Sequence, residues 1–181
     1  DYVFCWLGNT NLILSIIKLI EDKMNLEHDI QEAGVQMILL VEDSIRFYSS
    51  ILPNLYNYIL EQSKNFSKEA LNRHAATMRM RGRPKVVLAR TYEEAQKLYD
   101  KYSNNTLGVI SDARFPLKSA AKAFGNKVET EAKPKHRTDT FGREKCPDAG
   151  LQLFRYIRKN DPFVPLILES SESDNRAKAE A

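Results

Sequence analysis

The chain has 181 residues, a net charge of +3, 43% hydrophobic residues and 28% charged residues. These values are typical of one globular domain with a flanking piece, and they exclude collagen, a long coiled coil and wholesale disorder. The longest apolar stretches, near residues 12–20 and 35–41, are shorter than the roughly 18 residues that a membrane span needs. We therefore expect a soluble protein with no membrane attachment. Cys5 and Cys146 match no metal or redox spacing, which favours the cytoplasm. Because the chain starts at Asp1 rather than Met, we expect it to be a fragment of a longer polypeptide.

The first 34 residues predict a strand followed by a helix. Residues 2–7 are apolar and aromatic, and residues 8–11 supply turn and N-cap chemistry. Apolar residues then recur at steps of three and four, which predicts a helix with these side chains facing the core: Ile13, Ile16, Ile17, Ile20 and Met24.

The next segment predicts a central strand of a parallel sheet. Residues 35–41 are almost continuously apolar, as expected when helices cover both faces of the sheet. Glu42-Asp43-Ser44 follows, and a helical pattern then runs from residue 45 to residue 59, where Pro53 should kink or divide the helix. A second helical stretch over residues 67–80 precedes a loop at 81–84. We interpret residues 63–84 as an insertion.

The second half of the chain repeats the alternation. Strands are predicted over residues 85–89, 107–111 and 164–168, and helices from the capping box at Thr91 and over residues 149–159. Residues 117–147 are polar and lysine-rich without a convincing period, so we interpret them as an inserted surface excursion, helical around residues 119–124. Strands that alternate with helices predict an α/β fold with right-handed crossovers and a parallel sheet.

Three carboxylates follow predicted strands: Glu42 and Asp43 after one, and Asp112 after another. The carboxyl edge of such a sheet is where ligands bind. Grouped carboxylates need a cation or raised pKa values, and Mg²⁺ suits such oxygen ligands. The arrangement suits phosphoryl transfer to a carboxylate. The simpler alternative is that these acidic residues only cap helices.

Four segments carry a resemblance to one family. Residues 38–44 (Ile-Leu-Leu-Val-Glu-Asp-Ser) resemble the first strand and acidic pair of response-regulator receiver domains, and residues 109–116, which include Asp112, Phe115 and Pro116, resemble their phosphoacceptor segment. Residues 150–158 are similar to the helix that follows, and residues 164–171 resemble the fourth strand with its switch hydroxyl. The resemblance covers residue 35 to the end apart from the two insertions. It implies a flavodoxin-like parallel sheet with helices on both faces, extended by the N-terminal strand and helix.

The resemblance also implies a role for each site residue. Asp112 is expected to receive a phosphoryl group from a histidine kinase or a small acyl phosphate. Glu42, Asp43, Asp112 and the backbone carbonyl of Arg114 are expected to hold Mg²⁺. Ser170 is expected to hydrogen-bond the new phosphate and to move its loop. The function implied is that of a regulatory receiver in a two-component-type phosphorelay.

The sequence departs from the family in two places. Receivers carry a Lys at the end of a fifth strand, and Lys178, the only Lys after the fourth predicted strand, lies in a polar segment that cannot fill this role. We therefore expect the cationic partner of the phosphate to be missing. Residues 1–34 are interpreted either as the end of an upstream similar domain or as a permuted fifth strand at residues 2–7, leaving residues 35–181 as the receiver-like domain.

Other hypotheses remain open. Residues 41–50 resemble extended receivers that precede the catalytic region of phosphoenolpyruvate synthase or pyruvate phosphate dikinase-like proteins. This resemblance implies that the parent protein is a phosphotransferase, and we expect that the fragment itself is not a classical enzyme. The runner-up function is a non-phosphorylated pseudo-receiver that serves as a docking or dimerisation module within a larger enzyme. A basic cluster over residues 73–85 suggests an anion or nucleic-acid site, against which the low net charge and the lack of interleaved aromatic residues argue.

Overall fold

The computed structural model describes residues 2–118, 138–139 and 141–170. In chain order the elements are α1 (Asn11–Ala33), β1 (Met37–Val41), α2 (Ile45–Lys68), α3 (Arg73–Arg81), β2 (Lys85–Ala89), α4 (Tyr92–Tyr102), a 3₁₀ turn (Ser103–Asn105), β3 (Thr106–Asp112), β4 (Phe115–Pro116), β5 (Lys145–Cys146), α5 (Ala149–Asn160) and β6 (Leu166–Glu169). The helix predicted around residues 119–124, and Lys178, lie outside the described residues. None of the helices in the described ranges is both long and apolar enough to cross a membrane.

The main sheet has four parallel strands in the order β2-β1-β3-β6. Numbered among themselves along the chain, these strands lie in the order 2-1-3-4, which is the order of the first four strands of a flavodoxin-like fold. The predicted fold class is therefore confirmed. The predicted strands at residues 85–89 and 107–111 are confirmed as β2 and as most of β3.

Alternate residues of the strands supply two separate cores. On one face Leu39 and Val109 pack with Tyr99 of α4 and Ile157 of α5. On the other face Leu40, Val86 and Leu88 pack with Leu19 of α1 and with α2 residues Tyr48, Leu52 and Tyr56. Helices cover both faces of the sheet, so the side chains on both faces of a strand are buried. This explains the continuous apolar run before Glu42.

The prediction for α1 places the wrong face against the core. Four of the residues predicted to be buried are among the exposed ones, with Met24 at 78% and Ile13 and Ile17 at 55%. The helix instead buries a face of mixed polarity: Leu12, Ser15, Leu19, Asp22 and Leu26. The physical reason is that Asp22 has a buried cationic partner in a distant segment, so the buried face is not the most apolar one.

Residues 2–7 do not form the predicted strand. They pack instead against α2 and β2. The Tyr2 hydroxyl donates to the Leu88 carbonyl at 3.3 Å, and the Cys5 amide donates to Ser49 Oγ at 3.0 Å. Phe4 packs edge-on against Tyr48, whose hydroxyl donates to the Val3 carbonyl. Side-chain packing on α2 thus holds the segment in place. It lies at β2, the edge of the sheet opposite to β6.

The α2 helix continues through Pro53 without a break and ends at Lys68. A proline inside a helix removes one backbone hydrogen bond, and here the buried face that includes Tyr48, Leu52 and Tyr56 holds the helix together across it. The next helix therefore begins at Arg73 rather than at residue 67, with the Asn72 side chain accepting from the Ala75 amide at 2.8 Å as its N-cap.

Candidate functional site

Glu42, Asp43 and Asp112 converge at the carboxyl edge of the sheet. Glu42 and Asp43 directly follow β1, and Asp112 is the last residue of β3. These two strands are parallel neighbours, with Val41 beside Ser111 in the register. Each carboxylate offers an oxygen, and the three oxygens all lie within 4.8 Å of one another. The adjacent strand ends therefore bring together the three residues that the sequence singled out.

The cluster is buried, and burial controls its protonation. Glu42 is 3% exposed, and burial, reinforced by the charge of Asp112, raises its pKa to about 8. One Glu42 oxygen, Oε1, accepts the Ser44 amide at 2.9 Å. Burial followed by the charge of Asp43 raises the pKa of Asp112 to about 6, and burial likewise raises the pKa of Asp43. Without a bound cation, the protonated form of Glu42 is therefore favoured at neutral pH.

The three oxygens fit a hard divalent cation. Carboxylate oxygens grouped around one point are the ligands that Mg²⁺ and Ca²⁺ use in proteins. The raised pKa of Glu42 reflects unfavourable burial of negative charge, which a cation between the groups would relieve.

A lysine that the sequence analysis missed lies at this site. Lys145 Nζ is 2.8 Å from Asp43 Oδ2 and 2.9 Å from Asp43 Oδ1, and its side chain is 17% exposed. The acidic pocket therefore does contain a cation, which comes from β5 and not from the fifth-strand position that the sequence analysis considered. No local signal could have identified Lys145, since it lies in the polar excursion, 102 residues from its partner.

Antiparallel pairing delivers Lys145 to the cluster. In the β4–β5 hairpin, Phe115 pairs with Cys146 and Pro116 with Lys145. Since Phe115 lies only three residues after Asp112, this pairing brings β5 back beside the end of β3. The last part of the predicted excursion, residues 138–139 and 141–147, therefore includes a strand, β5, that pairs with β4.

The turn before β5 is held by one buried carboxylate. Asp139 accepts the Arg143 amide at 2.7 Å and the Arg143 Nε at 2.6 Å, while Gly142 adopts a positive φ of 73°. Its negative charge contributes to the raised pKa of Asp43, which places the turn near the acidic cluster. The turn therefore adds a further charge around the site.

The predicted switch residue Ser170 lies at the same edge of the sheet. Asp112 is beside Glu169 in the β3–β6 register, and the Ala113 amide donates to the Glu169 carbonyl at 3.0 Å. Ser170 follows Glu169 and is exposed. Arg114 lies in the bend after Asp112, and hydrogen bonds from the backbone of Ala113 and Arg114 act to lower the pKa of Asp112. The roles predicted for Ser170 and Arg114 remain predictions.

Gly150 at the start of α5 packs directly on the Asp112 loop. Its amide donates to the Ala113 carbonyl at 3.1 Å. A Cβ atom at this position would lie 2.4 Å from the Asp112 carbonyl oxygen and 3.0 Å from Ala113 Cα. Only glycine allows α5 to approach this closely, and the approach fixes the backbone that carries Asp112.

The basic cluster over residues 73–85 is divided between surface and interior. None of the α3 residues is buried. Arg83 and Lys85 are instead 6% and 5% exposed and form ion pairs with Asp22 and Asp29 of α1. Two of the cations that suggested an anion site therefore stabilise the packing of α1 on the sheet.

Comparisons with known proteins gave one structural match. No protein-family model matches the chain, and no curated protein matches it. The crystal structure of a response regulator receiver domain protein from Clostridium thermocellum aligns over 81% of this chain and 75% of its own, with 17% identity and a TM-score of 0.41. The assignment of a receiver-like, flavodoxin-like fold rests on the strand order and helix placement of this chain.

Proposed function

We propose that this domain is a regulatory receiver that accepts a phosphoryl group on Asp112 with the help of Mg²⁺. The observation that carries the proposal is the meeting of Glu42, Asp43 and Asp112, with oxygens within 4.8 Å, at the carboxyl edge of a sheet in flavodoxin-like order. That edge is the usual ligand site of such sheets. A histidine kinase or a small acyl phosphate would supply the phosphoryl group.

In the proposed reaction, a carboxylate oxygen of Asp112 forms the new O–P bond. The bond between phosphorus and the donor's nitrogen or oxygen breaks, and the donor leaves with that electron pair. Bound Mg²⁺ would neutralise charge on the phosphoryl oxygens. The Mg²⁺ ion would be held by the carboxylates of Glu42, Asp43 and Asp112 and by the backbone carbonyl of Arg114. Ser170, beside the end of β6, would hydrogen-bond the phosphoryl group.

The test is binding of beryllofluoride, which mimics a phosphoryl group on a carboxylate. We expect Mg²⁺ with beryllofluoride to give a bound ¹⁹F resonance, and to shift the backbone amides at Glu42, Asp43, Asp112 and Ser170 saturably. In Asp112→Asn the bound resonance should be lost, because the amide is a poor ligand for beryllium.

A matched control separates the site from general effects of charge. Asp100→Asn removes a carboxylate from the far end of α4, where Asp100 accepts the Tyr156 hydroxyl at 2.6 Å, and it should leave beryllofluoride binding unchanged. Absence of bound fluoride and of amide shifts at millimolar Mg²⁺ in the unmodified chain would contradict the proposal.

One observation favours the runner-up, a non-phosphorylated module that docks to another protein or to a second copy. The outer face of α1 is apolar and exposed at a spacing of four, three and four residues: Ile13, Ile17, Ile20 and Met24. Sedimentation distinguishes this module, because Ile17→Glu should then dissociate an oligomer of the unmodified chain. The prediction that the parent is a phosphoenolpyruvate synthase or pyruvate phosphate dikinase-like protein belongs with this function.

A further inference from the structure

The β4–β5 hairpin places a lysine on the acidic cluster. Lys145 Nζ contacts both oxygens of Asp43, at 2.8 Å and 2.9 Å, and Asp43 is itself fully buried. The positive charge of Lys145 also acts to lower the pKa values of Glu42 and Asp112. The ammonium group therefore lies within electrostatic reach of all three carboxylates.

A phosphoryl group on Asp112 would change the charge balance around this lysine. It adds about 1.5 to 2 negative charges and three strong acceptor oxygens at one point. Asp43 carries at most one charge and is also a candidate metal ligand. An ammonium group on a flexible four-carbon stem can move to the stronger anion without leaving its strand.

We propose that Lys145 binds the phosphoryl group on Asp112, exchanging its present contact with Asp43 for the phosphoryl oxygens, and that the β4–β5 hairpin thereby senses phosphorylation. This inference rests on the proposed function and extends it by naming the element that responds. Lys145 acts here as a phosphoryl-binding residue supplied by a hairpin before α5, and Asp43 keeps its role as a ligand for the metal.

The hairpin is well placed to transmit this change. β4 begins three residues after Asp112, and β5 is followed within three residues by α5, whose Gly150 amide is bonded to Ala113. β5 is thus connected to the Asp112 loop from both sides. A stronger bond to Lys145 should hold β5 more firmly against β4.

Cys146, the neighbour of Lys145, provides a native reporter. It is partly buried, packs against the core beside Phe115, and is one of two free cysteines. Cys5→Ser removes the other thiol, and the contact of Cys5 with Ser49 uses the backbone amide, so this change should not disturb it. The rate at which a thiol reagent modifies Cys146 then reports how firmly β5 is held.

The experiment combines this rate with ¹⁹F NMR on the full chain carrying Cys5→Ser. We expect Mg²⁺ with beryllofluoride to slow modification of Cys146 at least about three-fold. In Lys145→Met the rate should not respond, and beryllofluoride should bind about ten-fold more weakly, the loss expected for one charge-assisted hydrogen bond. Lys145→Arg should restore part of both effects.

The matched control is Lys118→Met, which removes an exposed lysine two residues after β4 and should behave like the parent chain. If bound fluoride appears but Cys146 responds equally in Lys145→Met and in its parent, the role of Lys145 is wrong while the phosphoacceptor function stands. If no bound fluoride appears in the parent chain, both proposals are wrong. Far-UV circular dichroism of each variant verifies folding, and Lys145→Arg keeps the test decisive if Lys145→Met does not fold.

Discussion

Glu42 makes the metal-free protein sensitive to pH. Its pKa is about 8 in the folded chain against an ordinary value of 4.5, so the folded state holds a proton that the unfolded state has lost over this interval. The contribution of Glu42 to stability is therefore complete below pH 4.5 and is lost as the pH rises to about 8.

We predict that the free energy of unfolding without metal falls by roughly 2 to 4 kcal/mol between pH 5 and pH 8, given about 1.4 kcal/mol per unit of pKa shift. The Glu42→Gln variant has no carboxyl group at this position, so it should lose most of this dependence of the free energy of unfolding on pH. Urea denaturation at the two pH values measures it. An equal slope in Glu42→Gln and the unmodified chain would show that other groups cause it.

Gly150 tests how closely α5 must approach the Asp112 loop. Gly150→Ala places a methyl group 2.4 Å from the Asp112 carbonyl oxygen, so the helix or the loop has to move. We expect a loss of about 1 to 3 kcal/mol of stability, as for other overpacked sites, and weaker beryllofluoride binding. Gly82→Ala is the matched control, because its nearest atom would be at 3.4 Å. Similar losses in both variants would contradict the close-approach explanation.

At the scale of elements, a buried charge network attaches α1 to the start of β2. Asp22 is fully buried; its Oδ1 accepts from Arg83 Nη2 at 2.7 Å, and its Oδ2 accepts from the Tyr56 hydroxyl and the Val86 amide, each at 2.9 Å. Lys85 bridges onward to Asp29 at 2.6 Å. One carboxylate therefore joins α1, α2 and β2.

We predict that Asp22→Asn costs about 3 to 5 kcal/mol, because it leaves the guanidinium of Arg83 buried without its counter-charge. Glu93→Gln makes the same chemical change in the exposed pair between Glu93 and Lys97, and should cost no more than about 0.5 kcal/mol. Both values come from urea denaturation at one pH. A cost for Asp22→Asn as small as that of the control would show that the network contributes little.

The two faces of α1 should respond oppositely to substitution. Leu19 is fully buried against Leu40 and Tyr48, so Leu19→Ala should cost about 2 to 5 kcal/mol. Ile17 is 55% exposed, and Ile17→Ala should change stability by less than about 0.5 kcal/mol in the monomer. A large loss for Ile17→Ala at low protein concentration would mean that the helix is rotated from the orientation described above.

At the scale of the whole molecule, the N-terminal 34 residues share both cores with the rest of the chain. Leu26 packs with the α4–α5 face, and Leu19 packs with the α2 face. The division at residue 34 into an extension and a receiver-like domain stays a prediction. These contacts favour unfolding of the two parts as one cooperative unit.

Trp6, the single tryptophan, lies in the N-terminal segment and reports on this unit. We predict that its fluorescence and the far-UV circular dichroism follow the same urea transition, since two-state unfolding gives coincident probes. A separate tryptophan transition at lower urea would show that the extension unfolds by itself.

Features that depend on neighbouring residues are predictable from the amino-acid sequence. The apolar runs of β1 and β2, the capping box of α4 and the carboxylates after β1 and β3 are local patterns, and the parallel alternation then places those carboxylates at one edge. The fold class and the candidate acidic site could therefore be predicted without coordinates.

Features that join distant segments, in contrast, are established only when the chain folds. The buried face of α1 depends on the pairing of Asp22 with Arg83, 61 residues away, and the cation of the acidic site depends on Lys145, 102 residues from Asp43. Hydrophobic periodicity cannot detect such pairs, because a charged residue becomes suitable for burial only when folding brings its counter-charge beside it.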